Sequence, residues 1–311
     1  MEFKDWVVAS LGLPNNIESA IELSLQLAAK FIKALNSAST RLDEETLTGA
    51  MIGALVSAHP MSAASFPLDP VSAIRWSSYT KYGSGIHSER NSGADFALVL
   101  SFPDGRLRLA IFQAKSDWSA SARKNRLVVG QIKKVPEVKD ADGVITERSY
   151  LRNQVEALVE AANAIQFKEN ECLSVDNLTW VHYLCQFEGG VRAVALSEIK
   201  DQVLFSINFC KEVAVTLAQD DGTELDKLLE QGCRSGSVHW LEVPTLGHGD
   251  LPAAIDLSAL VKLMPVVVGR EGSTGPTLKM GPGVAEHALS EPLLDVPEPT
   301  PNPTRIKKLG M

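Results

Sequence analysis

An acid, an amide and a lysine sit close together in this chain: Asp95, then Gln113 and Lys115 on either side of Ala114. The residues between them give the reason they should meet. Gly93-Ala94 is a small-residue turn, and Phe96 to Phe102 is an apolar run of strand length. Pro103-Asp104-Gly105 is a turn in which Pro presets φ and Gly accepts a positive one. Leu107, Leu109 and Ile111 then alternate with Arg108 and Ala110, which is strand periodicity. The pattern predicts a β-hairpin with Asp95 where the first strand begins and Gln113-Ala114-Lys115 where the second ends. In an antiparallel pair those ends lie side by side. A carboxylate and an amide oxygen are hard ligands for Mg²⁺ or Mn²⁺, and an ammonium beside them can orient a water and offset negative charge. Such a set suits phosphodiester hydrolysis.

The elements that must carry this hairpin are also legible. Asn15-Asn16 offers an N-cap, with Ile17, Ile21, Leu25, Ala28, Ile32 and Leu35 following at helical spacing. A second helix is expected after Thr40, which with Asp43 fits a capping box, and His59-Pro60 is expected to end it. Gly49, Ala50, Gly53 and Ala54 leave one side of that helix thin, and Glu44 shares a face with Thr48, Met51 and Leu55. After the hairpin a helix is expected from about Tyr150 to Phe167, with Gln154 on its first turns. Trp180–Phe187 and Val191–Leu196 read as strands. The order helix, hairpin, helix, strand predicts an α/β fold with a mixed β-sheet flanked by helices.

The acid, the hairpin and the Gln113-Ala114-Lys115 ending resemble the PD-(D/E)xK nuclease superfamily, in the QxK form of Mrr-like and phage-defence nucleases. The resemblance covers roughly residues 40–190. It implies a restriction-endonuclease-like core and a Mg²⁺ (or Mn²⁺) site made by Asp95, the side-chain oxygen of Gln113, the main-chain carbonyl of Ala114, and Glu44. Glu44 enters because Glu44-Glu45-Thr46-Leu47-Thr48 matches an E-x-x-L-T pattern on the helix before the hairpin. Asp95, Gln113, Lys115 and Glu44 would be the catalytic set, and Gln154 would lie near the substrate backbone. The substrate implied is DNA, the setting bacterial anti-phage defence or restriction, and a partner ATPase or sensor protein would be in keeping. Most of the superfamily has Glu or Asp where Gln113 stands.

The sequence is net acidic, at −8, which argues against a charge-driven nucleic-acid coat but leaves the local field at a binding face open. A basic stretch, Arg123, Lys124 and Arg126, then Lys133, Lys134 and Lys139, follows the lysine strand and could neutralise phosphates flanking a scissile bond. Cys172, Cys185, Cys210 and Cys233 show no CxxC spacing, which points to reduced thiols and a cytoplasmic protein rather than a zinc or disulfide framework. No apolar run reaches the roughly 18 residues that a membrane helix needs. No membrane partner is therefore expected, and a homo-oligomer stays open.

The domain reading is a nuclease-like domain over residues 1–268, with its core at about 40–200, and a disordered Pro/Gly-rich tail over 269–311. Residues 198–268 read as globular without a chemical constellation. Two other functions compete: a catalytically inactive member that only binds nucleic acid or protein, and a nuclease effector toxin.

Overall fold

In a computed structural model the described residues are 3–38, 43–66, 72–76, 92–117, 125–135, 137–139, 142–147, 149–165, 174–187, 190–218, 220–234, 236–243, 260 and 263–271. They form an α/β structure around a mixed sheet. The hairpin is β2 (Phe96–Ser101) and β3 (Leu107–Ser116), antiparallel, with Phe96 opposite Phe112 and Ser101 opposite Leu107. Phe102 and Arg106 close the expected turn, and Gly105 has φ +83. Beyond β3 comes β9 (Val181–Phe187), parallel to it, and then β10 (Gly190–Ala195) and β12 (Thr223–Glu224), each antiparallel to its neighbour. On the other side of β2 lies β14 (Val266–Arg270), parallel to β2, and beyond it β1 (Ala73–Trp76). A short strand, β13 (Leu241–Val243), also pairs with β3 near its start. The sheet thus reaches Arg270, so the expected boundary at 268 falls inside a strand, and the core is not confined to residues 40–200. The tail proper, from residue 272, lies outside the described residues.

Helices cover both faces. On one lie α1 (Phe3–Leu11), α2 (Ala20–Ala38), α3 (Glu44–Ala64) and a late helix, Leu225–Cys233. There Ile21, Leu25, Met51, Leu55 and Leu228 pack on Phe96, Leu98, Ala110 and Phe112. On the other lie α4 (Gln154–Ile165) and α5 (Lys200–Phe209), whose Val155, Leu158, Ala162 and Val203 pack on Ala97, Leu109 and Ile111. Alternate strand residues face opposite layers, which is why β3 reads as an unbroken buried run rather than a half-polar one. Among the described residues no helix is long and apolar enough to cross a membrane.

Four local expectations are corrected. The helix at α2 starts at Ala20 rather than after Asn16, because the Ser19 hydroxyl accepts the Glu22 N–H at 3.1 Å. The helix at α3 is capped by Asp43 itself, whose carboxylate accepts the Thr46 N–H at 2.7 Å; Thr40 lies outside the described residues. That helix also runs through Pro60 to Ala64. An interior Pro costs roughly 3 kcal/mol, but the residues around it are held from outside. His59 meets the Ser24 hydroxyl of α2 at 3.3 Å and the Ser72 carbonyl at 2.9 Å, and Ala58 is buried against α1 and α2. Finally, Tyr150–Asn153 is a strand, not a first helical turn. Asn153 turns it into α4: its side-chain oxygen accepts the Val155 N–H at 3.0 Å, as an N-cap does.

His182 is a packed core histidine. It is buried on β9, Nε2 lies 3.0 Å from the His239 carbonyl, and burial pushes the imidazole down to about 4.

Candidate active site

The site forms where β3 outruns β2. Successive residues of a strand turn their peptide groups to opposite neighbours. The Ile111 N–H donates to the Trp180 carbonyl on the β9 side, while the Phe112 carbonyl accepts the Asp95 N–H on the β2 side. Ala114 and Ser116 therefore also face the β2 side, but β2 begins only at Phe96. Two carboxylates take the place of the missing strand. Asp95 Oδ2 accepts the Ala114 N–H at 2.6 Å, and Glu44 Oε1 accepts the Ser116 N–H at 3.2 Å. The N–H and C=O of one strand residue face the same way. The Ala114 carbonyl therefore lies on this side too, between two acids whose anchoring N–H groups are roughly 7 Å apart along the strand.

Each acid is delivered by its own element. Asp95 is gripped twice by β3, through its main chain at Phe112 and through its carboxylate at Ala114, so it brackets Gln113. Glu44 is the first residue of α3, which puts a carboxylate at a helix N-terminus where the helix dipole favours it.

Lys115 is 6% exposed. Its side chain leaves β3 on the α4 face, where the ammonium donates to Gln154 Oε1 at 3.2 Å and lies 3.6 Å from Glu44 Oε2. Gln154 is the first residue of α4, so the N-termini of two helices, one from each layer, converge on this lysine. A buried ammonium is costly unless paired and hydrogen-bonded, and here it is both.

Gln113 is the exception. It is fully buried on the same strand face as Lys115, and neither its amide oxygen nor its nitrogen has a hydrogen-bond partner among the described residues. A buried amide left unpaired costs about 1–3 kcal/mol, so such groups call for an explanation.

Gly93 sets the approach of the Asp95 segment to α4. Its φ is +68, and a Cβ there would lie 2.3 Å from the Gln154 carbonyl oxygen and 2.9 Å from the Leu158 nitrogen. Gly93→Ala combines left-handed strain with a backbone clash. It is expected to lower stability by about 2 kcal/mol or more, read as a fall in the urea unfolding midpoint; an unchanged midpoint would refute this packing.

The predicted residues Asp95, Ala114, Lys115, Glu44 and Gln154 are thus brought together, with Gln113 on the strand between them. Arg126 opens β4 (Arg126–Val129), which pairs antiparallel with β11 (Val213–Thr216); it is half-buried and beside Asn125, whose N–H donates to Asp117 Oδ2 at 3.0 Å. Arg123 and Lys124 lie outside the described residues. Comparison with protein-family models, with curated proteins and with solved structures returned no match.

Asp117 went unremarked in the sequence. It is a buried carboxylate two residues past Lys115 on the same strand face, and the signal was there in Lys115-Ser116-Asp117. Cys185 pairs with Lys115 across β3 and β9. Burial pushes its thiol far up; Lys115 pulls the other way, while Glu44 and Asp117 add to the rise. Burial therefore favours the neutral thiol.

Among the described residues no three His, Cys, Asp or Glu side chains are grouped to hold a metal. The donors on these residues are of another kind: two carboxylates and a main-chain carbonyl along one edge of β3, and the orphaned amide of Gln113 on the strand between them. All are hard oxygens, and this set fits Mg²⁺, which keeps several of its waters and takes one or two carboxylates from the protein.

Proposed function

We propose that this protein is a Mg²⁺-dependent nuclease with a restriction-endonuclease-like core, hydrolysing phosphodiester bonds of DNA. One observation carries the reading. Asp95 and Glu44 accept the consecutive outward N–H groups of β3, at Ala114 and Ser116, with the Ala114 carbonyl between them and the Lys115 ammonium alongside. The order α3, β2, β3, α4, β9, with β9 parallel to β3, supports the core assignment.

Asp95, the Ala114 carbonyl and the Gln113 oxygen would hold Mg²⁺, with Glu44 joining directly or through water. The ion when bound supplies Lewis-acid polarisation of a phosphate oxygen and a more acidic water. The chain's own residues do the rest. Lys115, fixed by Gln154 and Glu44, orients the attacking water and stabilises negative charge as it develops on the phosphate. Glu44 keeps that ammonium turned toward the acids, and burial of the lysine stem keeps bulk water from screening it. DNA as substrate and a role in anti-phage defence rest on the resemblance in Asp95 and Gln113-Ala114-Lys115, and a cytoplasmic setting rests on the cysteines without CxxC spacing.

A binding-only member of the fold is favoured by one observation, the neutral Gln113 where most of the superfamily has an acid. Purified protein incubated with plasmid DNA and with RNA, in Mg²⁺ and in EDTA, separates the readings. Cutting of DNA in Mg²⁺ alone supports the nuclease; no cutting of either polymer overturns it.

A further inference from the structure

Between Gly130 and α4 the chain makes a ribbon of its own. In it β5 (Ile132–Val135) pairs with β8 (Tyr150–Asn153), and farther out β6 (Val138–Lys139) pairs with β7 (Ile145–Glu147). Neither pair joins the eight-stranded sheet. The root of the ribbon is fastened to the candidate site. The Gln154 N–H donates to the Gln131 carbonyl at 3.0 Å, and Gln154 is the residue that receives Lys115.

The register of the root is unusual. Lys133 stands directly opposite Arg152, and on the same face the next pair is Val135 opposite Tyr150. Like charges directly opposed across a strand pair are destabilising. Lys134 adds a third cation on the other face, and Tyr150 and Leu151 are 44% and 65% exposed. In a chain of net charge −8 this is a local concentration of positive charge beside exposed aromatic surface. It lies two residues from Gln154, roughly 7 Å along the strand. Farther out the ribbon mixes signs, with exposed Glu137 and Asp142 flanking a strand that ends in Lys139, so the like-charged rung belongs to the root.

Resting on the nuclease reading, we propose that the Lys133–Arg152 rung with Tyr150 grips the phosphate backbone of the nucleic acid beside the scissile bond. Two phosphates can lie against this rung by displacing the cations' present partners, and the tyrosine ring can lie against the sugar. Arg152 is already paired, to Glu160 at 2.8 Å, but Glu160 is an exposed partner. Such surface pairs are worth about 0–1 kcal/mol, so a phosphate can displace it.

The test is binding of the full chain to a fluorescein-labelled DNA duplex in Ca²⁺, across a salt series. The proteins compared are wild type and a Lys133→Gln/Arg152→Gln double variant of unchanged melting temperature. Loss of two phosphate contacts should lower the log–log salt slope by roughly 2. Tyr150→Ser should weaken binding with the slope unchanged. Equal affinity and slope for wild type and double variant would overturn the ribbon proposal while leaving the nuclease site standing. Failure of the wild type to bind any duplex would instead remove the nuclease reading and the ribbon with it.

Discussion

Gln113→Leu is expected to make the protein more stable and less active. The amide is enclosed without a partner, and leucine is of comparable bulk without the cost of desolvating two polar groups. Stability should rise by about 1–2 kcal/mol, read from urea unfolding. Loss of the oxygen should at the same time abolish cleavage, because on the proposed reading it would complete the cation's ligands. Gln113→Glu keeps the shape and supplies a charge. It should bind Mn²⁺ more tightly than wild type in calorimetry without substrate, since hard cations favour anionic oxygens. Equal metal affinity in wild type and both variants, or full activity in Gln113→Leu, would remove Gln113 from the site and leave its buried amide unexplained.

Asp95 separates structure from chemistry differently. Its carboxylate accepts the Ala114 N–H at 2.6 Å, a charge-assisted bond, so Asp95→Ala should cost about 1.5–3 kcal/mol of stability. In Asp95→Asn an amide oxygen can still accept that N–H, and stability should largely return. Cleavage should not. Without the negative ligand the rate is expected to fall by about 10²–10³ or more, and Mn²⁺ affinity should fall with it. An Asp95→Asn protein that cuts at the wild-type rate would reduce this residue to a strand-end clip.

The hairpin was legible because its information is local: alternating apolar residues, a Pro-Asp-Gly turn, and an acid and a lysine at positions that pairing brings to one end. Glu44 was legible from its neighbours Leu47 and Thr48. Its anchoring on Ser116 was not, since that depends on where β2 stops. Gln154 was expected near substrate, but its bond to Lys115 exists only because β8 and Asn153 start the helix there. The least legible element is β14. Val266-Val267-Val268 is a β-branched run, yet it adjoins the Pro/Gly-rich segment, and its parallel pairing with β2 spans most of the chain and leaves no local signature. Pro60 misled for a similar reason: tertiary contacts of His59 and Ala58 outweigh a strong local signal.

Lys115 gives the sharpest test of the site as a whole. Lys115→Met keeps the buried stem and removes only the ammonium, so melting temperature and Mn²⁺ binding should change little. Supercoiled plasmid is incubated in Mg²⁺ with wild type and with this variant, and nicking is followed in time. Wild type should convert the plasmid and the variant should lag by about 10²-fold or more; nicking at equal rates by the two proteins would contradict the assignment of Lys115, and with it the site built around β3.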